Sequence, residues 1–163
     1  MKLHIGIDPG IDGAIGVISD CGGDVAVYDI PHVSIGTGKK VKREINLLAL
    51  RILLEEMLER SESVTAYIER VHSMPKQGVA SSFNFGKTAG ILLGMLAAMQ
   101  IPIQQVTPQE WKKAMMNGQG KEKDASIYVA GQMFPQVDLS KKKHHNRADA
   151  LLIAQYGKTY LGA

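Results

Sequence analysis

Alternating apolar and polar positions near the start of the chain predict a β-strand that ends in a carboxylate. Leu3, Ile5 and Ile7 alternate with smaller or polar residues up to Asp8, which a Pro-Gly pair follows. Alternation broken by such a pair is typical of a strand that runs into a turn. Asp8 then lies at the rim of the sheet. Three interpretations stay open: it caps the turn, it belongs to a glycine-rich phosphate loop, or it binds a metal.

The next segments predict an antiparallel meander followed by helices and strands in alternation. Apolar runs over 14–18 and 25–30 are separated by a short turn and predict two further strands. Helical spacing from Asn46 to Arg60 predicts a helix with Asn46 as its cap. The apolar run over 64–69 follows that helix, so it is predicted to pair in parallel within the sheet, and it again ends in a carboxylate, Glu69.

The remaining pattern completes an α/β order. The other predicted elements are a surface loop over 32–44, a helix from Ser81 or Ser82 to about Met99, a strand over 101–106, a helix capped by Thr107, a helix over 122–134, a basic loop over 136–147 and a last helix from Arg147 to Tyr160. In the long helix, Gly86, Gly90 and Gly94 recur every fourth residue, which predicts tight packing against the sheet or a partner. The whole chain of 163 residues is predicted to be one domain.

Composition and segment lengths indicate the cellular compartment of the protein. Hydrophobic residues make up 45% of the chain and charged residues 21%, an ordinary globular balance. Cys21 is the single cysteine, so no internal disulfide is possible and a reducing compartment fits. Asp8 comes too soon for a signal peptide, and the apolar stretch 89–99 is too short to span a bilayer. We therefore expect a cytoplasmic protein with no membrane partner.

Positive charge is concentrated in two runs. The formal net charge is only +3, but residues 39–43 and 141–147 are locally basic. Such runs are commonly solvated loops. With only 6% aromatic residues, two of them favour contact with a phosphate backbone over stacking on single-stranded bases.

Three carboxylates occupy comparable places in the predicted elements. Asp8 and Glu69 end strands, and Asp149 falls in the first turn of the last helix. If the two strands are neighbours, these charges converge and raise one another's pKa. A divalent cation removes that conflict, and Mg²⁺ prefers oxygen ligands. Two such ions can activate a water and stabilise the leaving oxygen of a phosphodiester.

The motifs that carry these carboxylates resemble a known family. The segments Ile-Gly-Ile-Asp-Pro-Gly at 5–10, Tyr-Ile-Glu at 67–69 and Ala-Asp-Ala-Leu-Leu-Ile-Ala at 148–154 are similar in order and spacing to the RuvC family of Holliday junction resolvases. The resemblance implies a ribonuclease H-like fold with a five-stranded mixed sheet flanked by helices. It also implies a homodimer that places paired symmetric nicks in four-way junction DNA during recombination and repair. Mg²⁺ or Mn²⁺ is the implied cofactor, with two ions per active site, in a bacterial or phage-infected host cytoplasm.

The resemblance also assigns roles to single residues. It makes Asp8, Glu69 and Asp149 the catalytic metal ligands. Lys112 and Lys123 match family lysines near the active site, although both fit a solvated helix surface equally well. The predicted DNA contacts are His72 and Lys76 in the loop after the glutamate, together with Lys141, Lys142, Lys143 and Arg147.

One position departs from the family pattern. Asn146 stands where the family has Asp or His, three residues before Asp149. Asn is a poor Mg²⁺ ligand and a good helix cap, so Asn146 is predicted as the cap of the last helix as well as a candidate fourth ligand. His145 is the alternative fourth group, a metal ligand or proton acceptor, because an imidazole can bind a metal or exchange a proton near neutral pH.

Other functions stay open on the sequence alone. Asn146 motivates a non-cleaving junction-binding protein or an RNA nuclease of the same fold. A third alternative is an actin-like small-molecule kinase whose phosphate loop is Gly10 to Gly16. The kinase is disfavoured because that fold normally needs two domains and a longer chain.

Overall fold

The structure is a computed structural model that describes residues 1–38, 41–72, 78–116, 118 and 123–162, without the side chain of Lys123. The strands are β1 Lys2–Asp8, β2 Ala14–Ser19, β3 Val25–Asp29, β4 His32–Ile35, β5 Lys42–Ile45, β6 Ser63–Glu69 and β7 Ile103–Val106. The helices are α1 Leu47–Glu59, α2 Val79–Ala98, α3 Pro108–Met116, α4 Lys123–Met133 and α5 His145–Tyr156. Among the described residues, no helix is both long and apolar enough to cross a bilayer.

The main sheet places two carboxylates side by side. Its order is β3-β2-β1-β6-β7, with β1 antiparallel to β2 and parallel to β6. Ile7 is the parallel partner of Ile68, so Asp8 and Glu69 follow at the same edge of the sheet. The predicted five-stranded mixed sheet, its meander and the parallel pairing of β6 are confirmed.

Helix α5 lies directly on the sheet because two glycines make room for it. Gly6 and Gly16 are partners across β1 and β2. A Cβ at Gly16 would lie 2.7 Å from the carbonyl carbon of Ala150, and one at Gly6 would overlap the carbonyl oxygen of Ala150 and the backbone of Ala154. The backbone of α5 therefore touches the strand that carries Asp8. Because Gly16 lies within β2 beneath a helix, it does not belong to a phosphate loop.

A second small sheet replaces the predicted surface loop over 32–44. Strands β4 and β5 pair as an antiparallel hairpin that is mostly exposed. Arg43 donates to both carboxylate oxygens of Asp12, and Lys87 of α2 donates to Glu44 at 3.0 Å. These ion pairs and the buried side chain of Ile45 attach the hairpin, whereas the other residues of its two strands are exposed. Apolar alternation therefore gave no sign of it. Lys39 and Lys40 lie outside the described residues.

Helix starts were predicted with mixed success. Asn46 accepts from the backbone of Ala49 at 3.1 Å, and Thr107 and Glu110 form a reciprocal capping box, as predicted. The predicted Ser cap of α2 is wrong, because α2 begins at Val79 after Gly78 and has no side-chain cap. A segment without a side-chain cap leaves no capping signal in the sequence.

The last helix begins earlier than predicted. A short 3₁₀ turn at Lys142–His144 leads into α5 at His145, within the segment predicted as a loop. Asp149 therefore lies in the second turn rather than the first. After Tyr156 the chain continues as a π-helical turn over Gly157–Leu161. A run of lysine and histidine is typical of a solvated loop. The sequence pattern therefore predicts a later start for this helix than the structure has.

The glycine-spaced face of α2 does not pack on the sheet. A Cβ at Gly86, Gly90 or Gly94 would meet no described atom within 4 Å, and all three are exposed. The buried side of α2 is instead formed by Thr88, Ala89, Leu92 and Leu96. The predicted contact with the sheet is wrong, whereas the predicted contact with a partner stays a prediction.

Candidate active site

The three carboxylates of the sequence prediction come together at one edge of the sheet. Asp8 ends the central strand β1, Glu69 ends its parallel neighbour β6, and Asp149 comes from the helix laid over β1. Burial raises the pKa of Asp8 to about 8, and the nearby charges of Asp149 and Glu69 add to that rise. Burial likewise raises the pKa of Glu69 and of Asp149. The three acids are therefore electrostatically coupled in a poorly hydrated place.

Lys112 is the cation that faces this cluster. It lies on α3, and its charge opposes the pKa rise of Asp8, Glu69 and Asp149 alike. The exposed Lys112 side chain therefore lies within electrostatic reach of all three acids. Its predicted role near the active site stays a prediction. Lys123 is the first residue of α4, and its side chain lies outside the described part.

Two neutral side chains that sequence reasoning missed hold the carboxylates. The Trp111 indole nitrogen donates to Oε2 of Glu69 at 2.6 Å, and the residue is fully buried. The buried Ser126 on α4 hydrogen-bonds the side chain of Asp149 and lowers its pKa. Apolar spacing placed Trp111 on the inner side of α3, but its contact spans 42 positions and has no local signal. Nothing in the sequence singled out Ser126.

The donor set suits a hard divalent cation. Three carboxylates whose charges oppose one another supply the oxygen ligands that Mg²⁺ and similar ions prefer. Over the residues that the structure describes, no group of three or more His, Cys, Asp or Glu side chains is arranged as a ready-made metal site. The carboxylates thus lie within electrostatic reach of one another without forming a closed set of ligands.

Asn146 and His145 both differ from the prediction in local detail. The Asn146 amide nitrogen donates to the backbone carbonyl of Asp12 at 2.6 Å. The cap position belongs to His144, without a side-chain cap, so Asn146 is not the helix cap. His145 contacts the carbonyl of Lys142 through Nδ1 at 3.2 Å. Its charge lowers the pKa of Asp149, so His145 lies within electrostatic reach of the carboxylate cluster.

The residues predicted to contact DNA are distributed around this edge. His72 is exposed, and its charge lowers the pKa of Glu69, so it lies within electrostatic reach of that carboxylate. Lys141, Lys142 and Lys143 are exposed in and before the 3₁₀ turn. The Arg147 guanidinium makes two hydrogen bonds of 2.6 Å to Asp29. Lys76 lies outside the described residues.

An open cleft separates the β4–β5 hairpin from the start of α5. Its volume is about 520 Å³. Its lining includes Asp12, Arg43, Lys143, His145 and Asn146. Cationic side chains thus line the cleft, and one of its lining residues, His145, lies within electrostatic reach of Asp149.

Comparison with known proteins agrees with this geometry. The profile of the family described as "Crossover junction endodeoxyribonuclease RuvC" matches residues 4–156. The RuvC of Pseudothermotoga lettingae is 30% identical over 161 residues, covering 93% of this chain and 91% of that protein. The chloroplastic Holliday junction resolvase MOC1 of Chlamydomonas reinhardtii is 33% identical over 150 residues, covering 81% of this chain, which spans only 17% of that longer protein.

The solved structures support the fold. T. thermophilus RuvC in complex with Holliday junction substrate matches with a TM-score of 0.64 and 18% identity, covering 99% of this chain and 95% of that one. Nucleases of this family generally depend on a divalent metal, in keeping with the carboxylate donor set. The carboxylate-bearing sheet edge, the ribonuclease H-like fold and the profile match over residues 4–156 together place this chain in the crossover junction endodeoxyribonuclease RuvC family.

Proposed function

We propose that this protein resolves four-way DNA junctions by paired symmetric phosphodiester hydrolysis. The observation that carries the proposal is the cluster of Asp8, Glu69 and Asp149, three coupled acids delivered by β1, β6 and α5 to one edge of the sheet. Its membership of the RuvC family and its likeness to resolvases support the four-way junction as substrate. The kinase alternative loses its basis, because Gly16 lies under α5.

We infer that the cofactor is Mg²⁺ or Mn²⁺, with two ions per site held by Asp8, Glu69 and Asp149. When bound, such ions supply an activated water and stabilisation of the leaving oxygen. The chain itself contributes orientation and charge. Trp111 and Ser126 hold Glu69 and Asp149 by hydrogen bonds, and Lys112 offsets their negative charge. A cluster whose charges repel in the free protein is poised to bind cations.

His145 and Asn146 are the candidates for a fourth group. His145 lines the cleft and lies within electrostatic reach of Asp149, and an imidazole can take a proton from an attacking water. The Asn146 amide nitrogen is engaged with Asp12, which leaves its amide oxygen as the atom for a metal ligand. We assign the proton-accepting role to His145 and a supporting role to Asn146.

Substrate binding is proposed for the basic rim. Lys141, Lys142 and Lys143 are exposed beside the cleft, and phosphate contacts of this type give affinity without sequence preference. His72 and Lys76 are proposed to reach the junction from the loop after β6. Arg147 is proposed as a weaker contact, because its guanidinium already binds Asp29.

A homodimer follows from the need for two nicks. The face of α2 with Gly86, Gly90 and Gly94 is exposed and lacks side chains, so another helix can approach its backbone closely. Val79 and Phe83 at the start of the same helix are 89% and 69% exposed, an apolar surface that a partner would cover. We propose that α2 packs against α2 of a second copy.

A cleavage assay tests the proposed function directly. The substrates are a four-way DNA junction, a duplex of the same sequence, single-stranded DNA and RNA, each with Mg²⁺ or with chelator. Paired nicks in the junction that require Mg²⁺ are expected, and Glu69→Gln should abolish them while junction binding persists. Binding without cleavage would favour the junction-binding alternative, and preferred cleavage of RNA would favour the ribonuclease.

A further inference from the structure

Trp111 is the only tryptophan of the chain, and it is fully buried beside the carboxylate cluster. Its indole N–H donates to Oε2 of Glu69 at 2.6 Å. A short hydrogen bond from a neutral donor to a carboxylate belongs to the charge-assisted class, which is about twice as strong as a neutral one. The contact therefore constrains the direction of the Glu69 side chain.

The indole itself is well fixed. Trp111 belongs to the apolar cluster between the sheet and α3–α5, together with Val106, Met115, Ala148 and Leu151. A large aromatic side chain packed on all sides cannot change rotamer without moving its neighbours. One oxygen of Glu69 is thus held by a rigid donor, which fixes the direction in which the carboxylate presents its other oxygen.

The same ring also contacts the cation of the site. The Lys112 ammonium lies 5.2 Å from the centroid of the Trp111 ring, within cation–π distance. One side chain therefore touches both the carboxylate and the lysine that faces it.

We propose that Trp111 is a positioning residue that fixes Glu69 for metal binding through its indole N–H. Trp111 contacts no substrate in this arrangement; it acts through Glu69. The effect on nicking rests on the proposed function, whereas the hydrogen bond and its effect on metal affinity do not.

The first experiment observes the hydrogen bond in the metal-free protein. With one tryptophan, a ¹⁵N-labelled sample gives a single indole N–H resonance. That resonance is expected downfield of a free indole with slow solvent exchange. In Glu69→Ala it should move upfield and exchange faster, whereas Glu62→Ala, next to the opposite end of β6, should leave it in place. An indole resonance that is unchanged in Glu69→Ala would overturn the inference.

The second experiment removes the donor at nearly constant shape. Growth of a tryptophan auxotroph on benzothienylalanine replaces the indole N–H by sulfur at residue 111 alone. Loss of a hydrogen-bond partner behind a metal ligand typically lowers metal affinity by about 10–100-fold. We expect that decrease in the Mg²⁺ concentration dependence of thermal stabilisation and of nicking, with a melting temperature close to the parent's without metal.

A matched control separates positioning from packing. Met115→Ala creates a cavity in the same apolar cluster without touching Glu69, and Trp111→Phe keeps a ring but removes the donor. Met115→Ala should lose thermal stability and keep its Mg²⁺ affinity, whereas Trp111→Phe should lose both. Equal Mg²⁺ affinity in parent and analogue, or an equal loss in Met115→Ala, would refute the positioning role. If the affinity falls but the parent nicks no junction, the proposed function fails and this inference stands.

Discussion

At the scale of single residues, Asp8 shows how the carboxylate cluster affects the folding stability of the metal-free protein. The folded chain buries this acid between two others and raises its pKa to about 8, against 3.8 for a free side chain. Between pH 3.8 and about 8 the folded state keeps a proton on Asp8 that the unfolded state releases. Folding stability contributed by this group is therefore present at low pH and is lost as the pH rises towards 8.

Replacing Asp8 should stabilise the metal-free protein at high pH. At about 1.4 kcal/mol per pKa unit, the shift sets a ceiling of about 6 kcal/mol, and sharing of protons among the three acids lowers it. We expect Asp8→Asn to exceed the parent by a few kcal/mol in urea unfolding at pH 8 with chelator, and by little at pH 4. Asp24→Asn, at an exposed turn, is the control. A gain that does not depend on pH would contradict the buried-acid explanation.

Substitutions at His145 and Asn146 should differ in their effects on the nicking rate and on folding stability. His145→Ala is expected to reduce single-turnover nicking by ~10²-fold or more, the usual scale for a general base, with little change in melting temperature. Asn146→Ala loses the hydrogen bond to the Asp12 carbonyl and should cost about 1 kcal/mol in urea unfolding. Asn146→Asp cannot donate that hydrogen bond either, so it should be no more stable than Asn146→Ala. Full activity in His145→Ala with none in Asn146→Ala would reverse the two roles.

At the scale of elements, local sequence rules predicted those features that depend on neighbouring residues. The alternation up to Asp8, the Asn46 cap and the Thr107–Glu110 capping box are all local, and all were correct. The β4–β5 hairpin and the start of α5 were missed, because polar and basic residues form them and distant ion pairs hold them. The Trp111–Glu69 contact joins positions far apart, so no pattern in one segment could indicate it.

The contact between α5 and the sheet gives an element-level prediction. Gly6→Ala would put a Cβ into the backbone of α5 and force the helix away from β1. Overpacking of this kind typically costs 1–3 kcal/mol, and here it also displaces Asp149, so nicking should fall further than the loss of folded protein explains. Gly131→Ala on α4, where a Cβ meets nothing within 4 Å, should be neutral or stabilising by up to about 1 kcal/mol.

Thermal unfolding and single-turnover nicking measured on the same preparations check this prediction. An active, stable Gly6→Ala protein would mean that α5 can pack on the sheet at a greater distance than the structure indicates.

At the scale of the whole molecule, assembly and substrate binding are separable. The glycine-spaced face of α2 is open, and Gly90→Leu should weaken the proposed dimer by filling the space that the partner helix needs. Analytical ultracentrifugation over a range of protein concentrations measures the effect. Gly131→Leu on α4 carries the same change in size away from that face and should dimerise normally. A parent protein that sediments as a monomer even with junction DNA bound would remove the dimer proposal.

The basic rim should determine the salt dependence of binding. Each phosphate contact contributes a slope of about 0.9 in a plot of log affinity against log salt concentration. Replacing Lys141, Lys142 and Lys143 by alanine should reduce the slope by up to about 2.7 per protomer. Lys2→Ala, at the opposite end of β1 from Asp8, is the control. An unchanged slope in the triple variant would mean that Lys141, Lys142 and Lys143 are solvated and do not contact the phosphate backbone.

The attachment of the β4–β5 hairpin has a consequence for how this chain can be altered. The hairpin places one side chain, Ile45, in the apolar core and contacts the domain through the ion pairs of Arg43 and Glu44, while a backbone bond from Asn46 to Pro31 joins its two ends. Its length and sequence beyond those anchors are therefore open to insertion, deletion or grafting, while the catalytic sheet folds as before.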